Sequence, residues 1–173
     1  MADGRITPPR KPRDSAGSAE LPGAMLIDDG RYADLTLSRA VFTGQSARDL
    51  GFERVWFDRV RFSGATLPGI YVQDAHFATC DLSQMDAEKA NLTRVEMVGS
   101  KLLGVKMIEA SMRDIVWSEC IATFANFHGA RFKTTRFHKC GFKEASFQEA
   151  VLTGAVFDSC DLSGVNFHGA NLS

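Results

Sequence analysis

Long apolar runs, a glycine-rich phosphate loop and a CxxC pair are all missing from this chain of 173 residues. No apolar stretch approaches the roughly 18 residues that a membrane-spanning helix needs, and the first residues lack the apolar region of a signal peptide. The formal net charge is only -1, so the total charge does not demand nucleic acid or an anionic membrane as a partner. We therefore expect a cytoplasmic protein with no role for a membrane or for direct binding to nucleic acid.

The residue patterns of enzymes are missing as well. No Gly-x-Ser-x-Gly turn is present, and no carboxylate or Cys is expected to converge on His128 and His168, which recur in the same Asn-Phe-His-Gly-Ala sequence. The four Cys could form a metal or redox site, but they lie at multiples of 20 residues, and ligands on one line cannot surround an ion tetrahedrally. Free Cys is among the most buried residue types. We expect reduced, buried thiols at Cys80, Cys120, Cys140 and Cys160, with no enzyme activity, cofactor or metal.

A five-residue period dominates what the sequence does contain. From Leu37 to Leu172 every fifth residue is apolar, 28 times in succession, and this column holds twelve of the 13 Phe residues. A second column, two residues earlier in each repeat, is mostly small and apolar and holds all four Cys. Neither a helix, with a period of 3.6, nor a flat strand, with a period of 2, fits this pattern. The period indicates a solenoid in which stacked coils bury both columns.

The repeats Ala90-Asn91-Leu92 and Ala170-Asn171-Leu172 resemble the A(D/N)LXX signature of pentapeptide-repeat proteins. The resemblance covers about residues 35–173. It implies an all-β fold, a right-handed quadrilateral β-helix with four pentapeptides in each coil and about seven coils here.

The two ends of the chain differ in composition. Residues 1–24 hold four of the five Pro residues, are mildly basic and show no periodicity, which is typical of disordered segments. We therefore divide the chain into a disordered basic tail (1–24), an N-terminal cap (25–36) and the β-helix (37–173).

A coil of 20 residues makes a prediction about charges. Residues i and i+20 should stack on adjacent coils, where opposite charges stabilise the pairing. The column Arg54, Asp74, Arg94 and Asp114 alternates in sign at this spacing. The charges therefore support the 20-residue register independently of the apolar period.

Three clusters are candidates for contact with a protein partner, the alternative being an ordinary solvated surface. We name them the basic belt, the acidic stretch and the apolar patch. The basic belt, which contains no acid, comprises Arg131, Lys133, Arg136, Lys139 and Lys143. The acidic stretch, which contains no base, comprises Asp74, Asp81, Asp86 and Glu88. The apolar patch comprises Leu103, Ile121 and Phe124, the last being the one Phe outside the apolar column.

Two functions follow from the family resemblance. The first is a protein-binding scaffold without catalytic activity. The second is a DNA mimic that binds DNA gyrase or topoisomerase IV and protects it from quinolone-type inhibitors, as in the quinolone-resistance relatives. Those relatives carry strong negative charge, whereas residues 25–173 hold 16 basic and 18 acidic residues, a net charge of only -2. The sequence therefore favours the scaffold and keeps the mimic as the alternative.

The last coil is expected to expose large apolar residues and unpaired strand edges, which soluble monomers rarely leave open. Relatives in the family commonly dimerise through this end, and a two-fold contact would close the assembly. We expect a homodimer whose interface contains Phe157, Leu162, Phe167 and Leu172.

Overall fold

A computed structural model describes residues 5–13 and 25–173 of the chain. The described residues form seven strands and no helix, so none of them lies in a helix long and apolar enough to cross a membrane. The strands are β1 (Arg31–Ser38), β2 (Gly51–Asp58), β3 (Tyr71–Ala78), β4 (Asn91–Val98), β5 (Ser111–Ser118), β6 (Arg131–His138) and β7 (Ala155–Asp158).

The seven strands make one parallel sheet in chain order, and each pairs with the next at an offset of 20 residues. Phe77, for example, pairs with Met97. Isolated bridges such as Asp81 to Lys101 and Asp86 to Lys106 continue the same register on the two sides that the strands do not cover. The predicted fold class, an all-β solenoid, is confirmed. Its seven strands are separated by six turns of 20 residues, against seven predicted coils.

The corners of the solenoid explain the polar columns of the repeat. Every fifth residue from Asp29 to Gly169 has a positive φ, between 51° and 82°. This left-handed conformation redirects the chain, and it disfavours residues with a Cβ by about 1–2 kcal/mol. Glycine and short polar residues tolerate it best. A corner therefore occurs every five residues, and each corner is followed by a short straight side with two inward-facing residues.

The inward residues form one continuous core. Both apolar columns are buried in the coils between Phe42 and Leu152. Rings one coil apart stack on each other, with centroids 4.3 Å apart for Phe57 and Phe77 and 4.8 Å apart for Phe127 and Phe147. Burial of aromatic rings together with their offset contacts makes these columns the main source of stability.

The four Cys share one inward column and all are free thiols. Each Sγ donates to two backbone carbonyls in a repeated geometry; the Cys140 thiol lies 3.5 Å from the Trp117 oxygen and 3.4 Å from the His138 oxygen. Burial raises the pKa of Cys80 to about 11, which suppresses the reactive thiolate. Cys160 differs from the expectation of four buried thiols, because it lies in the last turn and is only half-buried.

This difference predicts two classes of reactivity toward a thiol reagent at neutral pH. Cys160 should react first, and the three buried thiols should react at least about tenfold more slowly, because attack requires an exposed thiolate. In denaturant without reductant the total should reach four equivalents. Fewer than four would reveal a disulfide and would contradict the expected cytoplasmic compartment.

The N-terminal end departs from the predicted division. Strand β1 begins at Arg31, inside the predicted cap of residues 25–36, and the Asp29 N–H already donates to the Arg48 oxygen at 2.9 Å, as later corners do. Leu26, a further residue of that segment, is buried at the open end of the core. Residues 5–13, predicted to belong to a disordered tail, have defined contacts with the sheet; the rest of residues 1–24 lies outside the described residues.

Candidate interaction surfaces

One corner of the solenoid carries a column of alternating charges that we call the charge ladder. Its members are Asp34, Arg54, Asp74, Arg94 and Asp114. Two bidentate ion pairs form within it: Arg54 donates to Asp34 at 2.6 and 2.8 Å, and Arg94 donates to Asp74 at 2.6 and 2.8 Å. The sequence predicted the alternation from Arg54 onward, and the structure extends it to Asp34.

Asp74 is the buried member of the ladder, with an exposed fraction of 0%. Burial disfavours its charged form, but hydrogen bonds from the Arg94 guanidinium and the Arg10 backbone N–H outweigh that effect and leave the pKa of Asp74 lowered. The Asp34 carboxylate is more exposed, and its pKa is held well below the usual range by Arg54 and by the Arg13 N–H. Both carboxylates are therefore ionised at neutral pH.

Residues 5–13, which we call the N-terminal strap, run along this corner. The Arg10 N–H donates to Asp74 Oδ1 at 3.0 Å, and the Arg13 N–H donates to Asp34 Oδ1 at 2.9 Å. The Lys11 ammonium lies 5.6 Å from the Trp56 ring centroid, within the range of a cation–π contact. Sequence reasoning missed this docking. The sequence features that could have indicated the docking are the Pro-rich, basic composition of this segment and the alternating charges of the ladder.

The earlier half of the strap borders an open cleft over β4, β5 and β6. Its walls are formed by Arg5, Ile6, Pro8, Pro9, Val95, Glu96, Asp114, Val116 and Arg136. The strap thus passes from the sixth strand to the first, antiparallel to the order in which the coils are built.

The acidic stretch does not form a single acidic face. Asp74 is buried under the strap, so it is no longer a candidate for direct contact with a partner. Asp81 and Asp86 are half-buried; each accepts a backbone N–H two residues later, at 3.0 and 3.2 Å. Glu88 lies 3.6 Å from the ammonium of Lys89. These carboxylates are engaged in turns and ion pairs, which reduces the negative field they could present.

The basic belt surrounds part of the last complete coils. Arg131 and Lys133 project from the first side of β6 and Arg136 from its second side, while Lys139 occupies a corner and Lys143 the next side. All five are exposed. Arg136 also borders the cleft of the strap, so the belt covers three sides rather than forming one stripe.

The apolar patch lies on the side that follows β4 and β5. Leu103 and Ile121 are exposed on adjacent coils, and Phe124 is 60% exposed at the next corner. Its φ is 58°, although bulky side chains strongly disfavour this region. All the remaining corners from Asp29 to Gly169 hold Gly or a polar or charged residue. Phe124 is therefore both strained and exposed.

The last turn leaves part of the core open. Phe157, Leu162 and Phe167 pack against the core but stay partly exposed, and Leu172 is 66% exposed. The Phe167 ring lies 5.6 Å from that of Phe147 and covers it from one side. An uncovered end of this kind combines apolar surface with unpaired strand edges.

No group of three or more His, Cys, Asp or Glu within residues 5–13 and 25–173 is placed to hold a metal ion.

Two family models match the chain. The pentapeptide repeat region matches residues 70–140, and a model of eight copies of the pentapeptide repeat matches residues 140–173. No curated protein matches the chain at a significant level.

Several solved structures are similar to this chain. HetL, a pentapeptide repeat protein involved in heterocyst differentiation regulation from the cyanobacterium Nostoc sp. strain PCC 7120, is 15% identical, with 87% of this chain and 90% of HetL covered and a TM-score of 0.38. Full-length QnrB1, a plasmid-mediated fluoroquinolone resistance protein, is 16% identical over 86% and 85% of the two chains, with a TM-score of 0.34. A pentapeptide repeat protein from the Arabidopsis thaliana thylakoid lumen is 19% identical over 78% and 75%, with a TM-score of 0.38.

The two family matches are contiguous and together span more than half of the chain. They agree with the 20-residue coil, the two inward columns and the regular left-handed corners seen in the structure. This chain belongs to the pentapeptide-repeat protein family.

Proposed function

We propose that this protein is a non-enzymatic scaffold in the cytoplasm that binds a protein partner through the apolar patch. The observation that carries the proposal is Phe124, an exposed aromatic side chain at a strained corner. All the remaining corners between residues 29 and 169 hold Gly or a polar or charged residue. Aromatic side chains at the centre of an interface contribute much of the binding free energy.

The surroundings of the patch indicate the chemistry of the partner. Ile121 pairs through its backbone with Lys101 on the preceding coil. The Phe124 N–H donates to the Lys143 oxygen on the following coil at 3.0 Å. Exposed Lys101 and Lys143 thus lie on neighbouring coils, and the exposed Glu144 occupies the corner one coil after Phe124. The surface fits a partner with an apolar centre and a rim of mixed charge, since complementary charge fixes orientation and speeds association.

Replacement of Phe124 by Gly separates binding from folding. Gly adopts a positive φ without strain, so Phe124→Gly should keep or raise the melting temperature while binding falls at least about tenfold. Capture from a cell lysate followed by titration of the captured protein gives the measurement. Glu119→Gly is the matched control, since Glu119 is an exposed corner residue with φ 56°.

A protein retained equally by wild type and Glu119→Gly, and lost with Phe124→Gly, would support the patch as its site. Retention of every captured protein by Phe124→Gly would contradict the proposal.

The DNA mimic remains the second proposal, and the charges favour it less. Asp74 is buried, and the other carboxylates of the acidic stretch lie in turns or beside a cation. A supercoiling assay with DNA gyrase, with and without a quinolone, tests it directly. Protection of supercoiling by the protein would establish the mimic, whereas no change in either condition would remove it.

We further propose a homodimer through the last turn, where Phe157, Leu162, Phe167 and Leu172 are incompletely covered. An isologous contact would bury this end and its strand edges. Sedimentation at micromolar concentration should show about twice the mass of 19.0 kDa, and Phe167→Asp should return the protein to a monomer. His168→Asp, an exposed neighbour, is the control; a wild-type monomer would refute the dimer.

A further inference from the structure

The geometry points to a second binding site. We propose that the groove along the charge ladder recognises extended, basic, proline-containing peptide segments in the polyproline II conformation, and that residues 5–13 occupy it in cis and keep it closed. This surface lies on another side of the solenoid from the apolar patch, so the inference does not depend on the proposed function.

The spacing of the hydrogen bonds carries the argument. Asp34 and Asp74 are two coils apart, which at about 4.8 Å per coil is about 9.6 Å. The N–H groups that reach them belong to Arg13 and Arg10, three residues apart. A polyproline II helix advances about 9.3 Å in three residues, and three residues make one turn. Each turn of such a segment therefore presents one N–H to one carboxylate of the ladder.

The burial of the strap has the same period. Ile6, Pro9 and Pro12 are half-buried, whereas the residues between them are exposed. A three-residue period of burial is what one face of a polyproline II helix produces when it packs on a surface. The groove thus accepts apolar residues at one position in three.

The Pro residues avoid the donor positions. Pro8, Pro9 and Pro12 have no N–H, and none falls on the 10 and 13 positions that donate to the ladder. Extended by one turn, the same period would bring the Thr7 N–H toward Asp114, a residue that borders the cleft. The groove thus selects segments with a free N–H at every third residue and tolerates Pro at the other two.

The remaining contacts favour a basic ligand. Lys11 lies over the Trp56 ring, and the Trp56 Nε1 is buried without a hydrogen-bond partner among the described residues. The indole ring of Trp56 and the carboxylates of the charge ladder together favour a ligand with cationic side chains.

Among the residues that the structure describes, the directed interactions of the strap are two N–H bonds to carboxylates and one cation–π contact. A tethered ligand competes at an effective concentration in the millimolar range. A partner segment of the same pattern would have to displace it, so the strap lowers the apparent affinity of the groove until such a partner is abundant or binds more tightly.

The test uses the full chain and a fluorescent peptide with the sequence of residues 5–13. The double variant Arg10→Pro/Arg13→Pro keeps the extended conformation of the strap but removes both N–H donors. We expect the peptide to bind this variant at least about tenfold more tightly than wild type. The control Ile6→Pro keeps an apolar residue in the packed position and removes an N–H that has no hydrogen-bond partner within residues 5–13 and 25–173; it should bind the peptide as wild type does.

A second peptide, with Pro in place of Arg10 and Arg13, tests the donors without altering the protein. It should bind the double variant at least about tenfold more weakly than the native peptide. Equal binding of the two peptides, equal affinity of the native peptide for all three proteins, or no binding to the double variant would each overturn the proposal. All substituted residues precede the coils, so all three proteins should still unfold cooperatively, and the double variant should melt at a somewhat lower temperature because it loses the contacts of the docked strap.

Discussion

Phe137→Ala should lower the free energy of unfolding by about 3–5 kcal/mol, which is the range for loss of a buried Phe side chain with incomplete collapse of the cavity. Phe137 is fully buried in the core, one coil before the last turn. Its ring centroid lies 5.3 Å from that of Trp117, 5.0 Å from Phe142 and 4.9 Å from Phe157. The cavity would therefore open between three coils, and neighbouring rings cannot fill it without leaving their own stacks.

The control for this substitution is the next residue in β6. The His138 side chain points outward and makes one exposed hydrogen bond, in which its Nδ1 lies 2.7 Å from Asp158 Oδ2. Exposed ion pairs contribute about 0–1 kcal/mol, so His138→Ala should cost no more than about 1 kcal/mol. Chemical denaturation of both variants gives the comparison. Equal losses would contradict the inward and outward assignment of the whole repeat.

Asp74→Ala should cost about 3–5 kcal/mol, because it leaves the Arg94 guanidinium without its carboxylate in a largely buried site. Arg94 has a side-chain exposed fraction of 20%. The matched control is Asp34→Ala, because Asp34 has the same φ of 56° and the same bidentate arrangement with Arg54. Asp34 is more exposed and Arg54 also contacts Glu53, so the loss of Asp34 should cost much less than the loss of Asp74.

The contribution of Asp74 to the free energy of unfolding should decrease as the pH falls. The folded pKa of Asp74 is lowered, whereas an unfolded Asp titrates near 3.9. Its contribution is therefore complete well above pH 4 and is lost as the pH falls through the folded pKa. The difference in stability between wild type and Asp74→Ala should shrink from pH 7 to pH 2. A constant difference across that range would show that the stabilisation by Asp74 does not come from its charge.

The sequence was sufficient for the fold because a five-residue period has few structural solutions. The two apolar columns predicted which side chains face inward, and Phe137 and Cys140 are buried as the register requires. The corners were visible only as polar columns; the left-handed φ at each one came from the structure.

The candidate sites were harder to predict, because exposure depends on neighbours that a period does not specify. Phe124 was visible as the Phe outside the column, and it is exposed. Asp74 belonged to an acid-only stretch, yet Arg94 and the strap bury it. The strap itself has no repeat, so its docking follows from two hydrogen bonds between residues that are 64 and 21 positions apart in the chain.

The 20-residue register has a consequence for how chains of this kind can change length. Insertion or deletion of five residues keeps both inward columns buried, so the core tolerates it, but every later side chain moves a quarter turn around the axis. The ladder would break at that point, and residues such as Ile121 would leave the side they share with Leu103. Only changes of a whole coil keep each face continuous. Stability alone therefore permits steps of five, while any ligand that lies along one face, as residues 5–13 do, restricts viable length variants to steps of 20.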